Sequence, residues 1–274
     1  MYYKHELDIK YPERCDDHMI EVKHLRDTQF DKDYKYLNKS FGFKLLRGAY
    51  WLLVNAIVFP IMRISHGLRI YGKENLKNNK ELFKDGAITI SNHVFYWDYL
   101  CVLKAIRPHL AYFPAWKTNF EGPNGPLIRL SGGIPVPTDS AHAMIEFNHA
   151  IEEVLESGKW LHFFPEGSMW FFYPDIRPLK KAVFCYATKY GKPIIPITMS
   201  FRPRRGITRM FTKNPCVDLH IGEPLFANTE LPFREAEEDL HRRAYHEMQL
   251  MNGITPDSPS YNEDQNPEHY KKTM

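Results

Sequence analysis

Between residues 67 and 226, short apolar runs alternate with segments of helical periodicity. The apolar runs lie near residues 86–91, 110–115, 133–136, 161–164, 194–200 and 216–221, and the helical segments near 97–107, 141–157 and 178–190. Strands that alternate with helices pair most readily in parallel, and each face of the sheet is then covered by helices. The pattern therefore predicts one α/β domain, in which a mixed, largely parallel sheet is flanked by helices.

A histidine and an aspartate, His93 and Asp98, follow the first predicted strand directly. Loops at strand ends are held by the sheet and commonly carry chemistry. At such a corner an imidazole can act as general base, while a carboxylate fixes its tautomer. A structural reading, with a capping Asp98 and a half-buried His93, stays open on this motif alone.

The predicted strand at 161–164 runs into a second polar turn, which contains Glu166, Gly167 and Ser168. This turn offers a fixed carboxylate, a backbone that can approach a ligand closely, and a hydroxyl. Lys180 and Lys181 lie downstream, and Gly132-Gly133 lies between the two blocks.

Four ordered blocks carry a resemblance to a known family: Asn92-His93…Asp98, Gly132-Gly133-Ile134-Pro135-Val136, Phe164-Pro165-Glu166-Gly167-Ser168 and Ile195-Pro196-Ile197. In these blocks, over about residues 67–226, the chain resembles the glycerolipid acyltransferases of the lysophosphatidate (1-acylglycerol-3-phosphate) acyltransferase type, which share an HxxxxD motif. The resemblance implies transfer of a fatty acyl group from acyl-CoA or acyl carrier protein to a lysolipid hydroxyl, in phospholipid biosynthesis or remodelling. It implies His93 as general base, Asp98 as its partner, and substrate binding by Gly133, Glu166, Gly167, Ser168, Lys180 and Lys181.

Two departures from the family pattern concern the acceptor. Pro137-Thr138 and Ser168-Met169 stand where the family commonly has arginines that grip the phosphate of the acceptor. Guanidinium is the natural bidentate partner of phosphate, so the departures predict an acceptor other than plain lysophosphatidate. Lys180, Lys181, Arg177 or Arg129 could replace the missing charge.

Competing readings of single residues carry less weight. Cys101 is expected to be a buried apolar residue rather than a nucleophile. Ser168 lacks the Gly-x-Ser-x-Gly elbow of hydrolases, and His162 is expected to be a satisfied core residue rather than a metal ligand. The arginine-rich stretch 202–213 fits either a solvated loop or a site for CoA phosphates, an acidic carrier protein or anionic lipid.

An uncharged stretch of fifteen residues, Gly48 to Met62, lies between Arg47 and Arg63. At about 1.5 Å per residue it spans roughly 22 Å, which is short of a ~30 Å hydrocarbon core. Pro60 is expected to kink the helix, and snorkelling by Arg47 and Arg63 would extend its reach. Shallow or re-entrant insertion on the cytoplasmic face is favoured over a span, and a buried helix of a soluble protein stays open.

These patterns divide the chain into a polar extension at 1–40, a membrane-associating helix at 41–66, an acyltransferase domain at 67–252 and a disordered tail at 253–274. The formal net charge of +3 is too small to indicate nucleic acid. The mechanism implied by the resemblance needs no metal or other cofactor. The expected partners are membrane lipid and the acyl donor. A non-catalytic lipid- or partner-binding relative and a thioester hydrolase remain the alternatives.

Overall fold

The computed structural model describes residues 3–5, 7–14, 17–23, 25–31, 33–138, 140–210, 212–258 and 260. Its helices are α1 (Phe41–Leu53), α2 (Phe59–Ser65), α3 (Lys73–Asn78), α4 (Asp98–Ala105), α5 (Lys117–Glu121), α6 (Gly125–Ser131), α7 (Ala141–Glu156), α8 (Ala182–Tyr190) and α9 (Phe233–Met251). Its strands are β1 (Arg69–Tyr71), β2 (Ile88–Ser91), β3 (Ala111–Trp116), β4 (Gly133–Val136), β5 (Trp160–Phe163), β6 (Ile194–Arg202) and β7 (Cys216–Ile221).

The seven strands form one sheet in the order β1-β7-β6-β2-β5-β3-β4. Strands β2 to β6 are mutually parallel, β7 runs antiparallel to β6, and β1 is parallel to β7. One hydrophobic cluster packs α1, α2 and α4 on one face, and a second packs α7, α8 and α9 on the other. The predicted mixed, largely parallel sheet with helices on both faces is therefore confirmed.

A helical arm precedes the sheet, and a π-helical turn at Val54–Val58 joins α1 to α2. The backbone N–H of Phe59 donates to the carbonyl of Val54, five residues back, directly before the helix-distorting Pro60. An i→i+5 turn brings Val54 and Phe59 onto one face. The π turn thus aligns the two helices so that Trp51, Val54, Phe59 and Met62 are all buried against the domain.

Residues near both ends of the described chain pack against the domain. The described residues before Phe41 form no helix or strand, yet Tyr3, Leu7 and Ile9 pack against the core cluster beside α1 and α2. Most of the predicted disordered tail, residues 259 and 261–274, lies outside the described residues. Ile254, near the start of that tail, is fully buried.

Candidate active site

The two polar blocks of the sequence meet because their strands are neighbours. Strand β2 pairs in parallel with β5, with Ile90 opposite Phe163, so the loops that follow both strands leave the same edge of the sheet. Crevices at the carboxyl ends of parallel strands are the usual ligand sites of such folds. The backbone N–H of His93 donates to Glu166 Oε2 at 3.0 Å, which joins the first block to the second.

His93 and Asp98 form the pair that the spacing predicts. Nδ1 of His93 lies 2.6 Å from Oδ2 of Asp98. The aspartate is fully buried and accepts further hydrogen bonds from the backbone N–H groups of Val94 and Tyr99, at 2.9 and 2.7 Å. Because this carboxylate only accepts, it places a proton on Nδ1 and leaves Nε2 with its lone pair.

The other side of the imidazole is the exposed one. The His93 side chain is 25% exposed and stacks on Phe164, with the ring centroids 4.0 Å apart. Among the described residues, none hydrogen-bonds Nε2. The ring therefore presents a basic nitrogen to the outside from a fixed orientation, as a general base requires.

Asn92 connects the loop that carries His93 to the next strand, β6. Its side-chain amide donates to the carbonyl of Met199 at 2.9 Å, and the backbone N–H of Met199 donates back to its oxygen at 2.8 Å. This two-point contact continues the β2–β6 pairing beyond the last strand residue. The corner that carries His93 is thus held by both neighbouring strands.

Glu166 sits at the centre of a buried ion pair with Arg177. Oε2 of Glu166 lies 2.8 Å from the Arg177 guanidinium, Oε1 accepts from the Arg177 backbone N–H at 2.9 Å, and both side chains are almost fully buried. Burial raises the pKa of the Glu166 carboxyl, while Arg177 and the backbone donors lower it. All of these partners donate hydrogen bonds to the carboxylate. Glu166 thereby connects the turn to Arg177 and to the backbone of His93.

The remaining residues of the second turn serve its shape. Gly167 has φ +83°, a left-handed conformation that favours glycine, and the Lys180 side chain occupies the space where a Cβ would lie. The Gly167 N–H donates to the carbonyl of Phe164 at 3.0 Å and so closes the turn. The buried Ser168 hydroxyl accepts from Arg177 at 2.7 Å, which leaves it in a structural contact.

Two other predicted substrate-binding residues lie away from His93. Gly133 begins β4, three strands from β2 and therefore about 14 Å across the sheet. A side chain there would collide with Ile128, so packing explains the glycine. Lys181 is exposed and pairs with Glu238 on α9 at 3.0 Å. Of the two lysines, only Lys180 borders the turn.

The candidate replacements for the missing arginines are engaged in the fold. Arg177 is occupied by Glu166 and Ser168, and Arg129 donates to the backbone carbonyl of Tyr36 at 2.6 Å and to that of Lys35. Trp170, next to the position of one missing arginine, is buried beneath the Arg177 guanidinium, which lies 4.5 Å from the ring centroid.

The N-terminal segment reaches this site, which the sequence did not predict. The Trp170 indole N–H donates to the carbonyl of Asp17 at 3.0 Å, and the Tyr11 hydroxyl donates to that of Phe171 at 3.0 Å. The same loop is hydrogen-bonded to the corner that carries His93, since the N–H of Trp170 donates to the carbonyl of His93. The segment therefore braces the loop from outside. Its alternation of charges and tyrosines gave no periodic signal.

Two residues that the sequence left with competing interpretations, Cys101 and His162, are fully buried. Cys101 is fully buried, and burial raises the pKa of its thiol well above the ordinary value, which disfavours a nucleophile. His162 is fully buried beside β2, with Nδ1 3.0 Å from the Thr89 hydroxyl. Among the described residues, no cluster of three or more His, Cys, Asp or Glu is arranged to hold a metal ion.

His162 predicts a loss of stability in mild acid. Burial, and then the neighbouring His93, lower its pKa from 6.5 to about 3. At a pH between these two values, the histidine is protonated in the unfolded chain and neutral in the folded protein. The free energy of unfolding therefore decreases as the pH falls, by about 2 kcal/mol between pH 7 and pH 5. In His162→Gln, denaturant titrations should show that this loss is absent. Replacement of the exposed His142 is the control, and an unchanged pH dependence in His162→Gln would contradict the assignment.

A match to a family model agrees with the resemblance seen in the sequence. Residues 67–200 match the family model described as Acyltransferase. No curated protein matches the sequence. Among solved structures, the fold is similar to a 1-acyl-sn-glycerophosphate (LPA) acyltransferase, PlsC, from Thermotoga maritima, with 19% identity, coverage of 77% of this chain and 83% of that chain, and a TM-score of 0.46.

Proposed function

We propose that this protein transfers a fatty acyl group from acyl-CoA or acyl carrier protein to the hydroxyl of a lysolipid-type acceptor. The match of residues 67–200 to the Acyltransferase family model supports this proposal. The observation that carries the proposal is the His93–Asp98 pair. Its 2.6 Å contact leaves Nε2 as the basic nitrogen on the exposed side of the ring. A base so placed suits the removal of a proton from a hydroxyl.

The reaction needs no covalent enzyme intermediate. Nε2 of His93 takes the proton of the acceptor hydroxyl as its oxygen attacks the thioester carbonyl. The C–S bond then breaks, the thiolate leaves, and the imidazolium returns its proton to the sulfur. The buried carboxylate of Asp98 offsets the charge that the ring carries between these steps.

The acceptor we propose is a lysolipid other than plain lysophosphatidate. Arg177, Arg129 and Lys181 have partners within the fold. Lys180 is the candidate for contact with a headgroup, because its side chain borders Gly167 in the turn next to His93. A charge-assisted hydrogen bond contributes roughly 1.5–3 kcal/mol, so a site without the two usual arginines should hold a phosphomonoester weakly.

We propose that the helical arm, Phe41–Ser65, binds a membrane through its exposed apolar side. The 25-residue helical arm Phe41–Ser65 is long and apolar enough to cross a membrane. Within its most apolar stretch of 18 residues, 22% is buried against the domain. One side of the arm packs along the domain, from the Tyr50–Ser131 hydrogen bond to the stacked rings of His66 and Phe95. A helix fastened lengthwise to a folded domain suits a position in the plane of the interface, so we propose monotopic binding on the cytoplasmic face.

One assay tests both the reaction and the acceptor. Purified protein is incubated with radiolabelled acyl-CoA and, in neutral mixed micelles, with lysophosphatidate, lysophosphatidylglycerol, lysophosphatidylcholine or a glycolipid. We expect labelled lipid product, with lower kcat/KM for lysophosphatidate than for at least one masked-headgroup acceptor. Acyl carrier protein thioesters are the second donor.

The other outcomes are distinct. Free fatty acid without labelled lipid would indicate a thioester hydrolase, and no turnover with either donor would indicate a non-catalytic relative. A clear preference for lysophosphatidate that Lys180→Ala abolishes would contradict the acceptor proposal and leave the transfer reaction standing.

A further inference from the structure

Four basic side chains at one side of the helical arm (Phe41–Ser65) lie within electrostatic reach of Lys104 or are Lys104 itself. They are Arg63, which belongs to the arm, and Lys73, Lys104 and Arg107, here called the flank cluster. The Lys104 ammonium lies 4.7 Å from the ring centroid of Phe59, and the Arg107 guanidinium lies 5.3 Å from that of Trp51. Both rings belong to the buried side of the arm. The cations therefore stand where the buried side of the arm meets the surface.

The members of the flank cluster are close enough to repel one another. The pKa of Lys104 is lowered by partial burial and then by the nearby charges of Lys73, Arg107 and Arg63. Among the described residues, none of the four lies within ion-pair distance of a carboxylate; Glu74, next to Lys73, is exposed and also unpaired. Like charges held together without an internal counter-charge favour an external anion.

The surface next to the flank cluster is apolar and unusually exposed. Leu45, Leu52, Ile61 and Ile64 are between 57% and 74% exposed on the side of the arm that faces away from the domain. Several large apolar side chains exposed along one helical arm mark an interaction site. A soluble anion would satisfy the cations and leave these side chains in water. A lipid surface satisfies both, with apolar side chains at the acyl boundary and cations at the headgroups.

We propose that the flank cluster binds the headgroups of anionic phospholipids and gives this protein a preference for negatively charged membranes. The inference rests on the monotopic membrane association proposed above and adds the identity of the lipid. The apolar face supplies binding that does not depend on lipid charge. The flank cluster adds an electrostatic part that salt screens.

The experiment measures sedimentation of the full-length protein with phosphatidylcholine vesicles, with and without phosphatidylglycerol. The wild-type protein should bind the anionic vesicles more tightly, and added salt should remove the difference. The double variant Lys104→Gln/Arg107→Gln should bind anionic vesicles about 10- to 30-fold more weakly and neutral vesicles unchanged. A thermal melt in neutral micelles checks that the variant is folded.

The control is Lys189→Gln/Arg234→Gln, which removes the same charge from exposed positions on α8 and α9, on the face of the sheet opposite the arm. It should keep the preference for anionic vesicles. An equal loss in both double variants, or an equal loss on neutral vesicles, would overturn the proposal. A raised KM for acyl-CoA in neutral micelles, with unchanged vesicle binding, would assign the cations to a soluble anion instead. Anionic preference without acyl transfer would refute the proposed function alone.

Discussion

His93→Ala should lower the rate of acyl transfer by about 10²–10⁴-fold, which is the usual contribution of a positioned general base. The expectation follows from the 2.6 Å contact of Nδ1 with Asp98 and the outward orientation of Nε2. Because the ring is partly exposed and its partner carboxylate keeps three backbone donors, the variant should stay folded. The measurements are kcat and kcat/KM for acyl-CoA, beside a thermal melt.

Asp98→Asn should behave differently from His93→Ala. An amide keeps an oxygen near Nδ1 but loses the negative charge that stabilises the imidazolium, so a small part of the activity should remain. The amide is also a weaker hydrogen-bond acceptor for the backbone N–H groups of Val94 and Tyr99. The melting temperature of Asp98→Asn should therefore be lower than that of His93→Ala. The exposed His149 on α7 provides the matched control for the alanine substitution. A His93→Ala protein with more than about a tenth of the wild-type rate would refute the catalytic assignment.

Local patterns predicted the fold because its main elements depend on local signals. Strand β4 spans the predicted residues 133–136, and β7 the predicted residues 216–221. The short helices α5 and α6 and the three-residue strand β1 were not predicted, because a few residues give no measurable period. The antiparallel direction of β7 depends on how the chain returns to the sheet, which no local pattern contains.

The site was predictable where residues are adjacent in sequence and less so where they meet only in the fold. His93 and Asp98 are five residues apart and meet across one corner. Glu166 was identified, but its partner was not, because Arg177 lies eleven residues further on and looked equally suited to a phosphate. The π turn at Val54–Val58 was not predicted for a similar reason. Only its packing against the domain shows where the helix departs from 3.6 residues per turn.

Arg177→Met should reduce the free energy of unfolding by about 3–5 kcal/mol, the usual cost of leaving one partner of a buried ion pair alone. The side chains of Arg177 and Glu166 are 2% and 1% exposed, so water cannot replace the lost guanidinium. Activity should fall as well, because Glu166 also accepts from the backbone N–H of His93. Denaturant titration gives the stability, and kcat at saturating acceptor gives the second effect.

A double variant separates bracing of the turn from binding of phosphate. If the arginine only compensates Glu166, then Glu166→Gln/Arg177→Met removes both charges and should be more stable than Arg177→Met, with a coupling energy of about 1–3 kcal/mol. If Arg177 instead grips the acceptor, Arg177→Met should keep its stability and raise KM for phosphate-bearing acceptors alone. That second pattern would contradict the burial of Arg177 and the contacts of its two terminal nitrogens with Ser168 and Glu166. A buried carboxylate needs a counter-charge, and Arg177 supplies it to Glu166 from eleven residues further along the chain.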